Sequence, residues 1–382
     1  MRLCFGVCCV VYRFVSKTGE AARLIVDYCI SASRGDDVAV SFGLPAIDFA
    51  RAVALEVLSR GAYPLLNLRD EYVAEAMYRL APEELLDYIS PIDMYMLEKV
   101  DASISIISPL HTKPLATADP GKVARRSRAS RPLTELFMKR DGEGSLRWTV
   151  TAYPAPSLAQ EAGMGLLEFE DFVVRALKLH EDDPVAAWKR QAEWQEKVAA
   201  LLSKASELRV VSSGTDITFR VEGRIWINDD GKKNMPGGEV FTAPHEDGVE
   251  GVVTFDFPAV WRGLEVEGVR LEFRGGQVVK ASASKGEEHL RRILETDEGA
   301  KRLGELAFGL NYDIQRHIKN ILFDEKIGGT MHMALGAAYP STGGRNQSAI
   351  HWDMVKDLRR ESRVYADGDL IFENGRFIED YL

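Results

Sequence analysis

One local pattern restricts the fold of the first half more than any other. Val38-Ala39-Val40-Ser41-Phe42 is an apolar run of strand length. Ala46 to Arg60 carries apolar residues at helical spacing and stops at Gly61, and Tyr63 to Leu68 is again strand-like. Strand, helix and strand with short links form a βαβ unit, and two strands joined through such a crossover run parallel. Ala102 to Ile107 supplies a further strand, and Glu20 to Ser33 reads as a helix that ends at Arg34-Gly35-Asp36. The first part is therefore expected to be α/β with a parallel-type sheet.

The texture changes near residue 205. Asp171 to Leu179 and Val185 to Leu208 read as helices. Beyond them, short strands alternate with glycine-rich turns: Asp216 to Val221, Val252 to Phe257, Val269 to Phe273 and Val278 to Ala283. Gly275-Gly276 between the last two is a hairpin signal. One helix, Glu287 to Phe308, is expected to interrupt them. The sequence thus divides into an extension (1–17), an α/β domain (18–205) and a β-rich α+β domain (206–382).

A formal charge of −10 argues against general affinity for nucleic acid or for an anionic membrane. The one basic run, Lys122 to Arg131, has no interleaved aromatic residue for base stacking and reads as a solvated helix or loop. No stretch reaches the 18 or so apolar residues that a membrane-spanning helix needs. All four cysteines (Cys4, Cys8, Cys9 and Cys29) lie near the start, which is no disulfide framework and points to a reducing, cytoplasmic compartment. The apolar run Leu3 to Tyr12 has the look of a leader, but Arg13 and Lys17 stand where small residues would precede a cleavage site. We read it as an extension. Gly163-Met164-Gly165 follows no clear strand and lacks a third glycine, and no Walker A sequence or Gly-x-Ser-x-Gly elbow occurs.

Chemistry concentrates in the second half. Glu239 follows a glycine pair in Pro236-Gly237-Gly238-Glu239-Val240-Phe241-Thr242. Glu305 lies in Leu303-Gly304-Glu305-Leu306-Ala307, read as the end of the apolar helix. The richest stretch runs from Asp324-Glu325-Lys326 through Met331-His332-Met333 and Tyr339 to His351-Trp352-Asp353. In an extended segment His351 and Asp353 share a face and Trp352 takes the other. Imidazole and carboxylate together are donors for a borderline or hard divalent ion. Glu239, Glu305 and Glu325 can complete a site with two ions. Each pair alone has a bland reading, as an exposed strand or a helix carboxylate. Spacing by itself stops at a possible metal site in a β-rich domain.

Taken together, these stretches resemble the thermophilic aminopeptidase family of metallopeptidases, the aminopeptidase T and aminopeptidase S group. The likeness includes Gly238 to Thr242, Val249-Glu250-Gly251, Lys285-Gly286-Glu287, Leu303-Gly304-Glu305, Phe323-Asp324-Glu325, His332 to Gly336 with Tyr339, and Asn346 to Asp353. It is dense over residues 220–378 and thinner back to Thr18. The resemblance implies two divalent ions (Zn, Co, Mn or Mg) held by Glu239, Glu305, Glu325, His332, His351 and Asp353. Some members have a shorter link between the counterpart of Glu325 and the histidine, which leaves Asp324 as its rival. The resemblance also implies catalytic roles for Glu305, as proton acceptor, and for Tyr339, at the oxyanion. The expected activity is release of N-terminal residues from short peptides by a homodimer. A metallo-amidase of other specificity and an inactive peptide-binding homologue are the competing readings.

Overall fold

The computed structural model describes residues 13–261 and 263–382. The run Leu3 to Tyr12, with Cys4, Cys8 and Cys9, lies outside the described residues. The chain forms two compact units. The first holds the described residues up to Pro114 together with Ala118–Val185; the second holds Leu115–Thr117 and Ala186–Leu382.

In the first unit, β1 (Asp37–Gly43), β2 (Tyr63–Arg69), β3 (Ala102–Ile107) and β4 (Arg147–Ala152) run parallel in the order β2-β1-β3-β4. Val38, Ala39 and Val40 of β1 are all buried, because a parallel strand is covered on both faces. The crossover helix Ile47–Ser59 buries Phe49, Ala50, Val53, Ala54 and Val57, the 3.6-residue stripe that the sequence predicts. The first helix, Phe14–Arg23, runs into a wider π turn, Leu24–Cys29. The basic run lies on helix Pro120–Ala129, where Arg125 pairs with Glu83 at 2.7 Å and Asp87 at 2.6 Å.

In the second unit the helix Pro184–Leu202 is shorter than its spacing predicts, because Leu208 belongs to the first strand after it. That strand is β5 (Glu207–Ser212), followed by β6 (Thr215–Arg220), β7 (Ile227–Asp229), β8 (Asn234–Met235), β9 (Glu239–Thr242) and β10 (Val249–Thr254). Next come β11 (Ala259–Trp261), β12 (Leu264–Val266), β13 (Arg270–Arg274) and β14 (Gln277–Ser282). After a helix, β15 (Leu303–Gly309), β16 (Thr330–Gly336), β17 (His351–Asp357), β18 (Arg363–Ala366), β19 (Asp369–Glu373) and β20 (Arg376–Phe377) complete it. An eight-stranded antiparallel sheet has the order β14-β13-β10-β6-β5-β18-β19-β20. A five-stranded antiparallel sheet has the order β17-β16-β15-β9-β7. Gly275 and Gly276 turn β13 into β14 with φ of 53° and 72°, backbone that favours glycine. This is the predicted fold class: an α/β unit with a parallel sheet, then a β-rich α+β unit.

One expectation fails. Glu287 to Phe308 is not a single helix: the helix stops at Leu294, a 3-10 turn spans Glu298–Lys301, and Leu303–Gly309 is β15. Every residue of β15 is buried, so the segment lacks the apolar–polar alternation that marks a half-exposed strand. A continuous apolar run of this kind is easily read as a helix face.

Between the two sheets lies one core. The large sheet contributes Leu208, Val210, Ile217, Phe219, Leu271 and Phe273; the small sheet contributes Val240, Leu306, Phe308, Met331, Met333, Leu335, Trp352 and Met354. The apolar face of the small sheet is thus fully used, and its opposite face is left for other chemistry.

Candidate metal centre

Alternation along each strand dictates which side chains occupy that opposite face. On β15, Leu306 and Phe308 face the core, so Glu305, Ala307 and Gly309 face away. By the same rule His332 and Ala334 face away on β16, His351 and Asp353 on β17, and Glu239 and Phe241 on β9. The register interleaves small residues with the polar ones. Ala334 stands between Glu305 and Asp353, Ala307 between Phe241 and His332, Gly309 beside Glu239, and Gly336 beside His351. This alanine–glycine floor gives the five larger side chains room to converge. The floor is also closed from above at one point: a Cβ on Gly309 would lie 2.8 Å from the carbonyl oxygen of Glu325. The loop carrying Glu325 therefore rests on the sheet at that glycine.

The side chains meet closely. His332 Nε2 is 3.2 Å from Glu239 Oε2 and 3.2 Å from Glu305 Oε1. His351 Nε2 is 3.3 Å from Glu305 Oε2 and 3.6 Å from Asp353 Oδ1. His351 Nδ1 lies 2.8 Å from the Ala337 carbonyl, which can only accept, so Nδ1 donates and Nε2 is the nitrogen turned towards the carboxylates. Three triplets have donor atoms within 4.8 Å of one another: Glu239–Glu305–His332, Glu305–His351–Asp353 and Glu325–His332–Asp353. Each shares a member with the others.

All six candidate ligands read from the sequence are thereby brought together. Asp324 is not among them. Its Oδ1 accepts from the Ile318 amide at 2.7 Å, and its Oδ2 lies 3.3 Å from His317 Nε2. Tyr339 stands at the rim, its ring 5.1 Å from that of His351 and 5.7 Å from that of Phe241. Two neighbours were not read from the sequence. Lys326, with no exposed side-chain surface, donates to Glu239 at 2.9 Å and Glu325 at 2.6 Å, and lies 3.5 Å from Asp229. Asp-Glu-Lys and Asn-Asp-Asp-Gly both look like solvated turns, and only the fold buries Lys326 and Asp229.

The electrostatics follow from burial. Burial pushes Glu239 up to about 8 and Asp353 up to about 7, against the pull of nearby cationic groups. Burial alone would lower His332 and His351, but the carboxylates beside them outweigh it and raise them to about 9 and about 10. Burial would raise Glu305 as well; hydrogen bonds from both imidazoles overcome it and hold its carboxyl near 2. Burial, then the surrounding carboxylates, pushes Tyr339 well above an ordinary phenol, so it remains a donor.

The arrangement calls for a cation. Glu239 Oε2 and Asp353 Oδ1 are buried acceptors without a hydrogen-bond donor. The donor set is carboxylate oxygen and imidazole nitrogen, which suits divalent ions of borderline or hard character. The residues present therefore fit a metal centre.

Comparison with known proteins agrees. Aminopeptidase T of Thermus thermophilus is 30% identical over 96% of this chain and 99% of that protein. Aminopeptidase AmpS of Bacillus subtilis is 29% identical over 95% of this chain and 99% of that protein. The structure of wild-type AmpT from Thermus thermophilus superposes with a TM-score of 0.82 at 29% identity, covering 96% of this chain and 100% of that one. A 2,5-dihydroxypyridine dioxygenase from Pseudomonas putida KT2440 shares the fold alone, at 15% identity and a TM-score of 0.59 over 95% of this chain and 97% of that one. The family model for thermophilic metalloproteases (M29) matches residues 14–377, nearly the whole chain. With its buried histidine–carboxylate face, the chain belongs to the thermophilic metalloprotease (M29) family.

Proposed function

We propose that this protein is a metal-dependent aminopeptidase that removes N-terminal residues from short peptides. The observation that carries this reading is the set of three linked histidine–carboxylate triplets on one sheet face. Two divalent ions would be held by Glu239, Glu305, Glu325, His332, His351 and Asp353, of which Glu305, His332 and Asp353 each belong to two triplets. When bound, such ions activate water and polarise the scissile carbonyl.

The protein's own groups have distinct tasks. Glu305 lies within hydrogen-bond reach of both imidazoles and belongs to two triplets, which suits a ligand. Proton transfer from water to the leaving amine is assigned to a carboxylate of this site, Glu305 or the more open Glu325, with 18% of its side chain exposed. Tyr339, held protonated, donates its O–H to the developing oxyanion. The acidic face around it favours a substrate's free ammonium terminus, which makes the activity exopeptidic. A reducing compartment, here taken as the cytoplasm, is part of the reading because all four cysteines cluster near the start and do not spread along the chain as a disulfide framework would. The homodimer implied by the family resemblance is kept as part of the reading, and light scattering tests it.

The test is hydrolysis of aminoacyl p-nitroanilides after metal removal and after reconstitution with Zn, Co, Mn or Mg. Turnover is expected only on reconstitution and only with a free N-terminus. No turnover with any of the four metals would refute the reading. Efficient cleavage of acetylated substrates would move it to another metallo-amidase. Glu325→Gln is expected to lose at least ~100-fold in kcat, the usual size of a general-base contribution, and metal content by mass spectrometry separates a lost base from a lost ligand.

A further inference from the structure

The triplets occupy the middle of the sheet face, but the face continues past β17, the edge strand, into a separate hollow. The hairpin β11–β12, with Ala259 opposite Val266, forms one side of it. The segment from His317 to Asp324 forms another, and His351, Asp353 and Val355 close the third. The cavity measures about 170 Å³. Two candidate ligands, His351 and Asp353, therefore line both the metal centre and this hollow.

The charged groups of the hollow are already occupied with one another. His317 lies 3.3 Å from Asp324 and stacks on Phe257, with rings 5.0 Å apart and parallel to within 2°. Lys319 pairs with Glu265 at 2.8 Å. What remains for a ligand is apolar: Pro258, Ala259, Trp261, Ile321 and Val355. The Trp261 ring is backed by that of Trp352 at 6.4 Å, so this wall is continuous with the core.

We infer that this hollow is the pocket for the N-terminal side chain of the substrate and that it selects apolar side chains of leucine to phenylalanine size. The inference rests on the aminopeptidase reading. The hollow adjoins the place where the ammonium terminus and first carbonyl would meet the triplets, because His351 and Asp353 belong to both. An apolar cavity of about 150 Å³ holds a benzene ring, so 170 Å³ accommodates either side chain. An acidic first residue is disfavoured by the apolar wall, where its carboxylate would lose water without gaining a partner. Shortening the side chain leaves part of the hollow unfilled, and each missing methylene in such a pocket costs roughly 10-fold or more in kcat/KM.

Ile321 tests this with a side chain that is 48% exposed and outside the core cluster. With metal-reconstituted wild type, kcat/KM for leucine and phenylalanine p-nitroanilides is expected to exceed that for alanine at least ~10-fold, and that for glutamate to be lowest. Ile321→Trp fills the hollow and is expected to collapse the leucine-to-alanine ratio about tenfold; Ile321→Ala is expected to reduce it less. Both variants should keep wild-type metal content by mass spectrometry, and the readout is the ratio of kcat/KM values between substrates. Calorimetry with L-leucine and glycine gives a second readout, in which Ile321→Trp abolishes the preference for leucine.

An unchanged leucine-to-alanine ratio in both variants overturns the inference. So does a change in preference for the second residue of dipeptides in place of the first, which would assign the hollow to the leaving side. If reconstituted wild type cleaves no free-N-terminal substrate at all, the aminopeptidase reading itself fails, and this outcome is distinct from the other two.

Discussion

A lysine ammonium with no exposed surface persists in a protein only where carboxylates surround it, because an unpaired buried charge is far too costly. Lys326 meets that condition three times, with Glu239, Glu325 and Asp229. Those three together with Glu305 and Asp353 make five clustered carboxylates against one ammonium. Two divalent cations would cancel the remaining formal charge. Lys326 thus orients two candidate ligands and reduces their mutual repulsion. Lys326→Met is expected to lower stability in chelator by roughly 3 kcal/mol, the usual cost of breaking a buried ion cluster. Saturating metal should narrow the gap. Urea unfolding with and without metal measures both, and an identical midpoint to wild type in chelator would show that the lysine is dispensable. None of this was legible in Asp324-Glu325-Lys326, since a charged triplet in sequence says nothing of burial. The histidines were legible, because an imidazole in Met331-His332-Met333 demands a partner.

Strands differ in how much of themselves they reveal. β17 shows its two faces openly: His351 and Asp353 on one side and Trp352 on the other follow from period two alone. β15 does not, since it is buried throughout and reads as a helix face. Only its pairing with β9 and β16 aligns Glu305 with the other ligands. The approach to β17 depends on a third element. Asp297 caps the 3-10 turn through the Ala300 amide at 2.9 Å and holds the segment before His351 through Ser348 Oγ at 2.8 Å and the Ala349 amide at 2.7 Å. Burial works against its charge, but these donors outweigh it and hold its carboxyl below the usual aspartate range. A depressed folded pKa means stability that is complete above the unfolded value of about 3.9 and is lost as pH falls through the folded one. Asp297→Asn is therefore expected to be about 1–2 kcal/mol less stable at pH 7, and the difference should shrink steadily below about pH 4. Urea melts at pH 7, 5 and 3 follow it; a gap that persists undiminished at pH 3 would exclude the carboxylate charge as its source.

At the scale of the whole molecule, fold and chemistry are separable. A dioxygenase shares the fold at a TM-score of 0.59, so the architecture alone selects no reaction. On our reading it is selected by one face of one sheet in the second unit, where five of the six candidate ligands lie, with Glu325 on the loop that rests on it. The formal charge of −10 has a corresponding local meaning, because part of the acidic excess is held out of water on that face. Such a face is costly without cations and gains from them. An ion bound only by the folded state adds about 2.7 kcal/mol at a hundred times its Kd. Chelation should therefore lower resistance to opening locally, where the carboxylates repel. Amide hydrogen exchange read by mass spectrometry is expected to accelerate in β9, β15, β16 and β17 on metal removal, with β1 and β3 of the first unit unchanged. Restoring the metal should reverse it. Equal acceleration in β1 and β3 would mean that the ions support the chain as a whole, and no change anywhere would mean that Lys326 and the protons on Glu239, Asp353 and the two imidazoles already stabilise the face without them. The expected pattern follows from the topology: the four strands that carry the carboxylates and imidazoles are neighbours in one sheet, and the repulsion they share can be relieved only by moving them apart.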